Sequence, residues 1–219
     1  CERAIATSLT AKHRTFIFVP ANAVCDSTTV MFALQEGIHL GVLSSELHMK
    51  WAEAAGGTLE DRPRYIKTVC FETFPFPDED TGLTLQLRER IATLAEHIDA
   101  HRKRVLAQDS FPRWGKAGMG ADGADMALDG VQAPTPTLPQ KGREQDERLP
   151  QRGKEEKLTL TALYNVLAAL REGRALSPKE KAIHTQGLVG VLRELHDELD
   201  AAVLAAYGLR ADASTDDIL

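Results

Sequence analysis

The sequence has few aromatic residues and no long apolar run. Aromatic side chains make up 5% of the 219 residues, and most of the Phe and Trp lie in the first half. No segment approaches the 18 consecutive apolar residues of a membrane-spanning helix. No apolar run follows the first charged residues, as a secretory signal would require. We therefore expect no membrane partner.

Cysteine is also scarce. Cys1, Cys25 and Cys70 are odd in number, widely spaced and not arranged as a CxxC pair. This spacing excludes zinc ribbons and dithiol redox motifs. Free or buried thiols in a reducing cytoplasm are the expectation, so the predicted location is cytoplasmic.

Positive charge is in deficit. There are 26 Lys and Arg residues against 32 Asp and Glu, which gives a formal net charge of −6. A module that binds DNA by itself is usually basic. The balance argues against an independent DNA-binding domain, but a local basic surface within a larger protein stays possible.

Catalytic and cofactor motifs are missing. No strand pattern leads into a glycine-rich turn, and no Pro-Pro-aromatic motif, phosphate-binding loop or nucleophile elbow occurs. His97 and His101 lie one helical turn apart, as in some metal sites, but no third ligand is evident, so polar residues on a surface helix are the favoured interpretation. We predict no catalytic, cofactor-binding or metal-binding residue in this chain, and its status as an enzyme stays open.

The first 77 residues mix strand and helix patterns. Residues 14–20 and 27–34 are rich in β-branched and aromatic residues, and the turn at residues 21–22 between them favours a hairpin. Residues 40–55 have helical spacing and end at a glycine pair. We expect residues 58–67 to be an irregular loop.

The rest of the chain is predicted to be a helical tail with an interruption. Residues 78–109 carry an amphipathic helix over 82–108, and residues 158–219 are helical again, with a strong helix start at Ser177. Residues 110–157 are rich in Gly and Pro and poor in aliphatic residues, which predicts a flexible insert. The predicted class is α+β: a small mixed strand and helix region at 1–77, followed by a bundle-like tail.

The best candidates for DNA contact lie between residues 60 and 67. Arginine can bind guanine with two hydrogen bonds, and a glutamate can accept from cytosine, so Glu60 and Arg62 are candidate base-reading residues. Arg64, Tyr65 and Lys67 suit the phosphate backbone. The alternative is an exposed loop held by pairs between arginine and aspartate.

A second basic cluster precedes the first predicted strand. Lys12 and Arg14 are candidate backbone contacts. Charges that protect an edge strand from pairing explain them equally well.

Several motifs resemble one family in an ordered series. Residues 12–18, 40–45, 56–65 and 70–77 resemble the end of the target-recognition domain of MmeI-like restriction–modification enzymes and their adenine-methyltransferase relatives. Residues 158–165 and 195–208 are similar to the helical C-terminal segment of the same enzymes.

This resemblance implies a function. Such bacterial enzymes bind double-stranded DNA and transfer a methyl group from S-adenosylmethionine to an adenine amino group. Some of them also cut DNA. It further implies that the chain is a C-terminal piece whose partner, the methyltransferase domain with its cofactor and catalytic motifs, lies upstream. The alternative is a purely structural or protein-interaction helical module without DNA contact.

Overall fold

The computed structural model describes residues 2–59, 62–108, 158–210 and 213. All of them belong to one folded unit that joins both sections of the chain. The predicted insert at 110–157 lies outside the described residues. The described part has the predicted α+β class: small antiparallel sheets followed by helices.

A three-stranded antiparallel sheet opens the chain. Its strands are β1 (Arg3–Ser8), β2 (Ile17–Pro20) and β3 (Thr29–Phe32), in the order β2-β1-β3. The predicted strands at 14–20 and 27–34 are confirmed, but the predicted hairpin between them is wrong. Both pair with β1, whose four central residues are buried as in a strand covered on both faces.

Two helices follow where the sequence predicts one. They are α1 (Gly37–Ser44) and α2 (Glu46–Ala55). Between them Ser45 has an extended backbone, and its hydroxyl accepts a hydrogen bond from the His48 backbone N–H. The helix is interrupted because this serine caps a new helix instead of continuing the old one.

The segment expected to be an irregular loop contains a short hairpin. Strands β4 (Gly57–Leu59) and β5 (Arg62–Arg64) are antiparallel, so the expectation for this part of 58–67 is wrong. An isolated bridge between Thr10 and Arg64, together with a 2.8 Å hydrogen bond from the Tyr65 N–H to the Leu9 carbonyl, ties the end of β5 to the segment after β1. A π-helical turn, Lys67–Phe71, follows.

The described part of the tail contains four helices. They are α3 (Leu85–Gln108), α4 (Leu160–Arg171), α5 (Pro178–Gln186) and α6 (Val189–Ala206). The predicted helix at 82–108 and the predicted start at Ser177, with its reciprocal bond to Glu180, are confirmed. The helix that starts at Ser177 does not continue into α6, because Leu188 adopts a left-handed backbone with φ of 47° and separates α5 from α6.

Two apolar cores hold these elements together. The sheet core packs the strands against α1, Tyr65 and Cys70. The tail core packs α1 and α3 against α4 and α6, so residues from both sides of the undescribed section share it. In the described helices, no span is both long and apolar enough to cross a membrane.

Candidate nucleic-acid interface

A cleft of about 340 Å³ lies between the sheet region and the tail. One wall is formed by residues 11–14 and 63–65 together with one side of α2, and the other by α4 and α6. Six cationic side chains line the cleft, against three carboxylates: Lys12, Arg14, Lys50, Arg64, Arg102 and Arg171 against Glu46, Glu53 and Asp200. The lining is therefore cationic in a chain whose net charge is −6.

Two of these cations are neutralised locally. Lys50 lies 3.3 Å from Glu46, and Arg171 lies 3.0 Å from Asp200 and 2.9 Å from Asp197. Within the ranges that the structure describes, Lys12, Arg14, Arg64 and Arg102 have no carboxylate within 4.0 Å. Their positive charge is left to attract an anion into the cleft.

Arg14 has a structural role as well as a positive charge. Its guanidinium donates to the backbone carbonyls of Ser8 and Pro63, the latter at 3.0 Å, and lies over the Tyr65 ring. Burial lowers the pKa of this guanidinium, yet an arginine stays protonated in proteins. Arg14 therefore fixes β5 against the end of β1, and most of its donors are already engaged.

Tyr65 does not have the exposure that the sequence suggested. It is 1% exposed, and its hydroxyl bonds to His48 Nε2 at 2.9 Å. Burial lowers the pKa of His48 to about 3, so this imidazole is neutral. The predicted backbone contact by Tyr65 is therefore corrected: as placed, its side chain packs in the sheet core below the cleft.

The other predicted contacts are divided. Lys12 and Arg64 are exposed and line the cleft. Lys67 is exposed outside the cleft and pairs with Glu72 at 3.3 Å. Arg62 contributes its backbone to β5, whereas its side chain and all of Glu60 lie outside the described residues.

The floor of the cleft is a buried polar network that sequence reasoning missed. Arg102 of α3 is 2% exposed; it donates to the Phe16 carbonyl at 2.8 Å and to the Tyr164 hydroxyl of α4. That hydroxyl also lies 2.8 Å from Nε2 of His196 on α6. Burial lowers the pKa of His196 well below its usual value, so the ring is neutral and can act as an acceptor.

The rim of the cleft joins the sheet region to α4. Lys12 Nζ and His13 Nε2 each lie 2.8 Å from the same oxygen, Oδ1 of Asn165. No local signal could have singled out this asparagine or Arg102. Their places in the site come from packing between segments that are 86 to 153 residues apart.

Other candidate chemistry does not assemble here. His97 is exposed, while His101 is buried with Nε2 3.0 Å from the Gly187 carbonyl. In the described part of the chain, no group of three or more His, Cys, Asp or Glu residues could hold a metal ion. Cys25 and Cys70 are free thiols.

The strands and the sheet-side wall of the cleft lie in a section of the chain that matches a known family. Residues 3–78 match the family described as "MmeI, target recognition domain". This section of the chain is similar to the MmeI target recognition domain. The resemblance drawn from the sequence motifs is thereby confirmed, and β5 with its cations lies inside the matched section.

Two known proteins are similar to the chain. DNA methyltransferase A of Bacillus subtilis (strain 168) is 35% identical over 57 residues, which are 26% of this chain and 6% of that protein. A solved structure of the type IIL restriction-modification enzyme MmeI in complex with DNA matches 99% of this chain and 20% of that chain, with a TM-score of 0.56 and 18% identity. The structural match supports the fold of both the sheet region and the tail. The chain spans a small part of either relative.

Proposed function

We propose that this chain recognises double-stranded DNA as part of a site-specific DNA adenine methyltransferase of the restriction–modification type. One observation carries the proposal: four cations that have no carboxylate partner among the described residues line a single cleft, and three of them lie in the section that matches the target recognition domain. The solved relative is a DNA complex, which agrees with this assignment. The proposal places the protein in the bacterial cytoplasm, with the DNA that it binds.

Within this proposal, different residues read the bases and bind the phosphate backbone. Glu60 and Arg62 stay the candidate base-reading residues, and Arg64 and Lys12 bind phosphates. Arg14 acts mainly as the brace, because it holds β5 to the carbonyl of Ser8. Because β5 is braced, Arg64 binds a phosphate at a lower entropic cost than it would from a free loop.

The methyl donor, S-adenosylmethionine, is not assigned to this chain. Of the described strands, β3 leads into an α-helix through residues 33–36, and β5 leads into the π-helical turn through residues 65–66. Neither connection contains a glycine. Such a turn does not fit a nucleotide-type cofactor, which needs close backbone approach. We place the cofactor, and the transfer of a methyl group to a flipped adenine, in the upstream methyltransferase domain.

A salt titration of duplex binding tests the proposal. Affinity of the full chain for a duplex should fall steeply with salt, with a log–log slope of about 0.9 per phosphate contact. Arg64→Ala should lower that slope by about one contact. Arg90→Ala makes the same charge change on α3 outside the cleft and should leave the slope unchanged.

The alternative function gives a different result. A helical module that only braces an enzyme or binds a protein would show no salt-dependent duplex binding, and that result would reject the proposal. For base reading, Arg62→Ala should cost about 1–3 kcal/mol and relax preference at one base pair. Unchanged affinity and preference would remove Arg62 from the reading role.

A further inference from the structure

The rim of the cleft contains a cluster of hydrogen-bond donors contributed by both regions. Lys12 and His13 come from the segment between β1 and β2, and Asn165 comes from the second turn of α4. Lys12 Nζ and His13 Nε2 each lie 2.8 Å from Oδ1 of Asn165. The two regions are therefore linked at the mouth of the cleft as well as in the apolar core.

The orientation of this asparagine follows from its neighbours. A lysine ammonium can only donate, so the atom of Asn165 that faces Lys12 must be the amide oxygen. The amide nitrogen then points away from both donors. Its two N–H groups have no hydrogen-bond partner among the described residues, and the Lys12 ammonium has two further donors.

The cluster is held rigidly from below. The residue before Asn165 is Tyr164, which is buried in the network with Arg102 and His196. The His13 ring lies 6.3 Å from the Tyr164 ring, centroid to centroid. Fixed donors bind an anion with little further loss of conformational freedom.

The charge around the cluster favours a dianionic or monoanionic oxygen ligand. Lys12 has no carboxylate within 4.0 Å in the described ranges. Of the carboxylates lining the cleft, Glu46 and Asp200 are already bound to cations, while Glu53 is exposed on α2. An ammonium beside outward amide N–H groups suits the oxygens of a phosphate.

We propose that Lys12, His13 and Asn165 form a phosphate-binding cluster through which the helical tail contributes directly to holding the DNA backbone. This inference rests on the proposed function, since it assigns a phosphodiester of the same duplex to the rim of the same cleft. It adds a tail residue to an interface that the sequence confined to residues 12–67. The contact positions the duplex and carries no base preference.

Two substitutions at one position test the cluster. Asn165→Ala removes the amide donors, and Asn165→Asp places a carboxylate 2.8 Å from Lys12 Nζ, where it neutralises the ammonium. The aspartate keeps the acceptor for Lys12 and His13, so a merely structural role predicts unchanged DNA binding. A phosphate-binding role predicts that Asp weakens binding more than Ala does.

The measurement is duplex binding by the full chain at 50 and 200 mM salt, with thermal melting of each variant as the check on folding. Loss of one phosphate contact removes about 0.9 from the slope, so the affinity ratio between these two salt concentrations should shrink about 3.5-fold for Asn165→Asp. Asn22→Ala, at an exposed turn, is the matched control and should leave the ratio unchanged. Preference among duplex sequences should stay the same in all variants.

The outcomes separate the inference from the proposed function. If Arg64→Ala lowers the slope but folded Asn165→Asp does not, the phosphate cluster is refuted and DNA recognition stands. If the unchanged chain shows no salt-dependent duplex binding, the proposed function fails and the inference with it. A free-phosphate arm decides the source: if inorganic phosphate binds and is lost in Asn165→Asp while duplex affinity is unaffected, the site takes free phosphate and the DNA assignment is overturned.

Discussion

Replacing Gly41 by alanine should destabilise the chain, although alanine is the better helix former. A Cβ atom at Gly41 would lie 2.5 Å from Ile91 Cγ2, 3.0 Å from the Ile91 carbonyl oxygen and 3.3 Å from Leu199 Cδ1. Ile91 and Leu199 are fully buried, so neither side chain can move into solvent. The absence of a side chain at Gly41 therefore lets α1 approach α3 and α6 at this point.

The net change in stability is the difference between a gain in helix propensity and a cost of overpacking. Alanine in a helix gains up to about 1 kcal/mol over glycine. Overpacking a dense core costs about 1–3 kcal/mol, and a backbone oxygen at 3.0 Å from the new carbon places Gly41→Ala at the upper end. We expect a net loss of about 2 kcal/mol, which is a fall of roughly 4–8 °C in Tm for a domain of this size.

Gly190→Ala is the matched control. It makes the same substitution in helix α6, where the nearest atom to the new carbon is His184 Nε2 at 3.8 Å, an ordinary contact. It should leave stability unchanged or raise it by up to about 1 kcal/mol. Urea unfolding of both variants gives the comparison. A Gly41→Ala chain as stable as the original would show that the close crossing of α1 and α3 is not real.

Two further predictions concern polar groups around the cleft. Tyr65→Phe keeps the ring but leaves His48 without its partner, so unfolding free energy should fall by about 1–3 kcal/mol while duplex affinity is unchanged; equal stability in urea would contradict this. Burial raises the pKa of Asp200 to about 6, above its unfolded value, so its contribution to stability is present below about pH 4 and lost as the pH rises through 6. Asp200→Asn should reduce this loss of stability with rising pH. Because both chains share every other titrating group, the difference between their pH–stability curves gives the contribution of Asp200. Parallel curves would refute the assignment.

The sequence predicted those elements whose signals are local. Helix α3 has its apolar stripe within 24 consecutive residues, and the start of α5 is set by Ser177 and Glu180 alone. Strands β2 and β3 are rich in β-branched and aromatic residues. Central strand β1 escaped notice because two of its six residues are alanines, which have weak strand preference.

The helix breaks were not predictable from periodicity. Leu188 belongs to the apolar spacing of α6, but its left-handed backbone redirects the chain between α5 and α6. Ser45 likewise sits inside a helical pattern and changes the direction of the chain by capping α2. Periodicity records which face is buried, not whether the axis is continuous.

Half of the candidate site was within reach of sequence reasoning. The basic character of Lys12, Arg14 and Arg64 is visible in the sequence, and the structure brings these three to one cleft. The depth of Tyr65 was not visible, because its partner His48 lies 17 residues away across the sheet core. The opposite wall depends on α4 and α6. The contact of α4 with Lys12 and the contact of Arg102 on α3 with Phe16 arise only from packing.

The shared tail core has a consequence for synthesis on the ribosome. Ile91 and Ile98 on α3 are translated well before Leu163 and Leu199, which share the tail core with them. At about 5–20 residues per second, roughly one hundred residues of delay correspond to about 5–20 s. During that interval the apolar face of α3 is exposed on the nascent chain. A stalled or truncated product would therefore bind chaperones and be prone to aggregation.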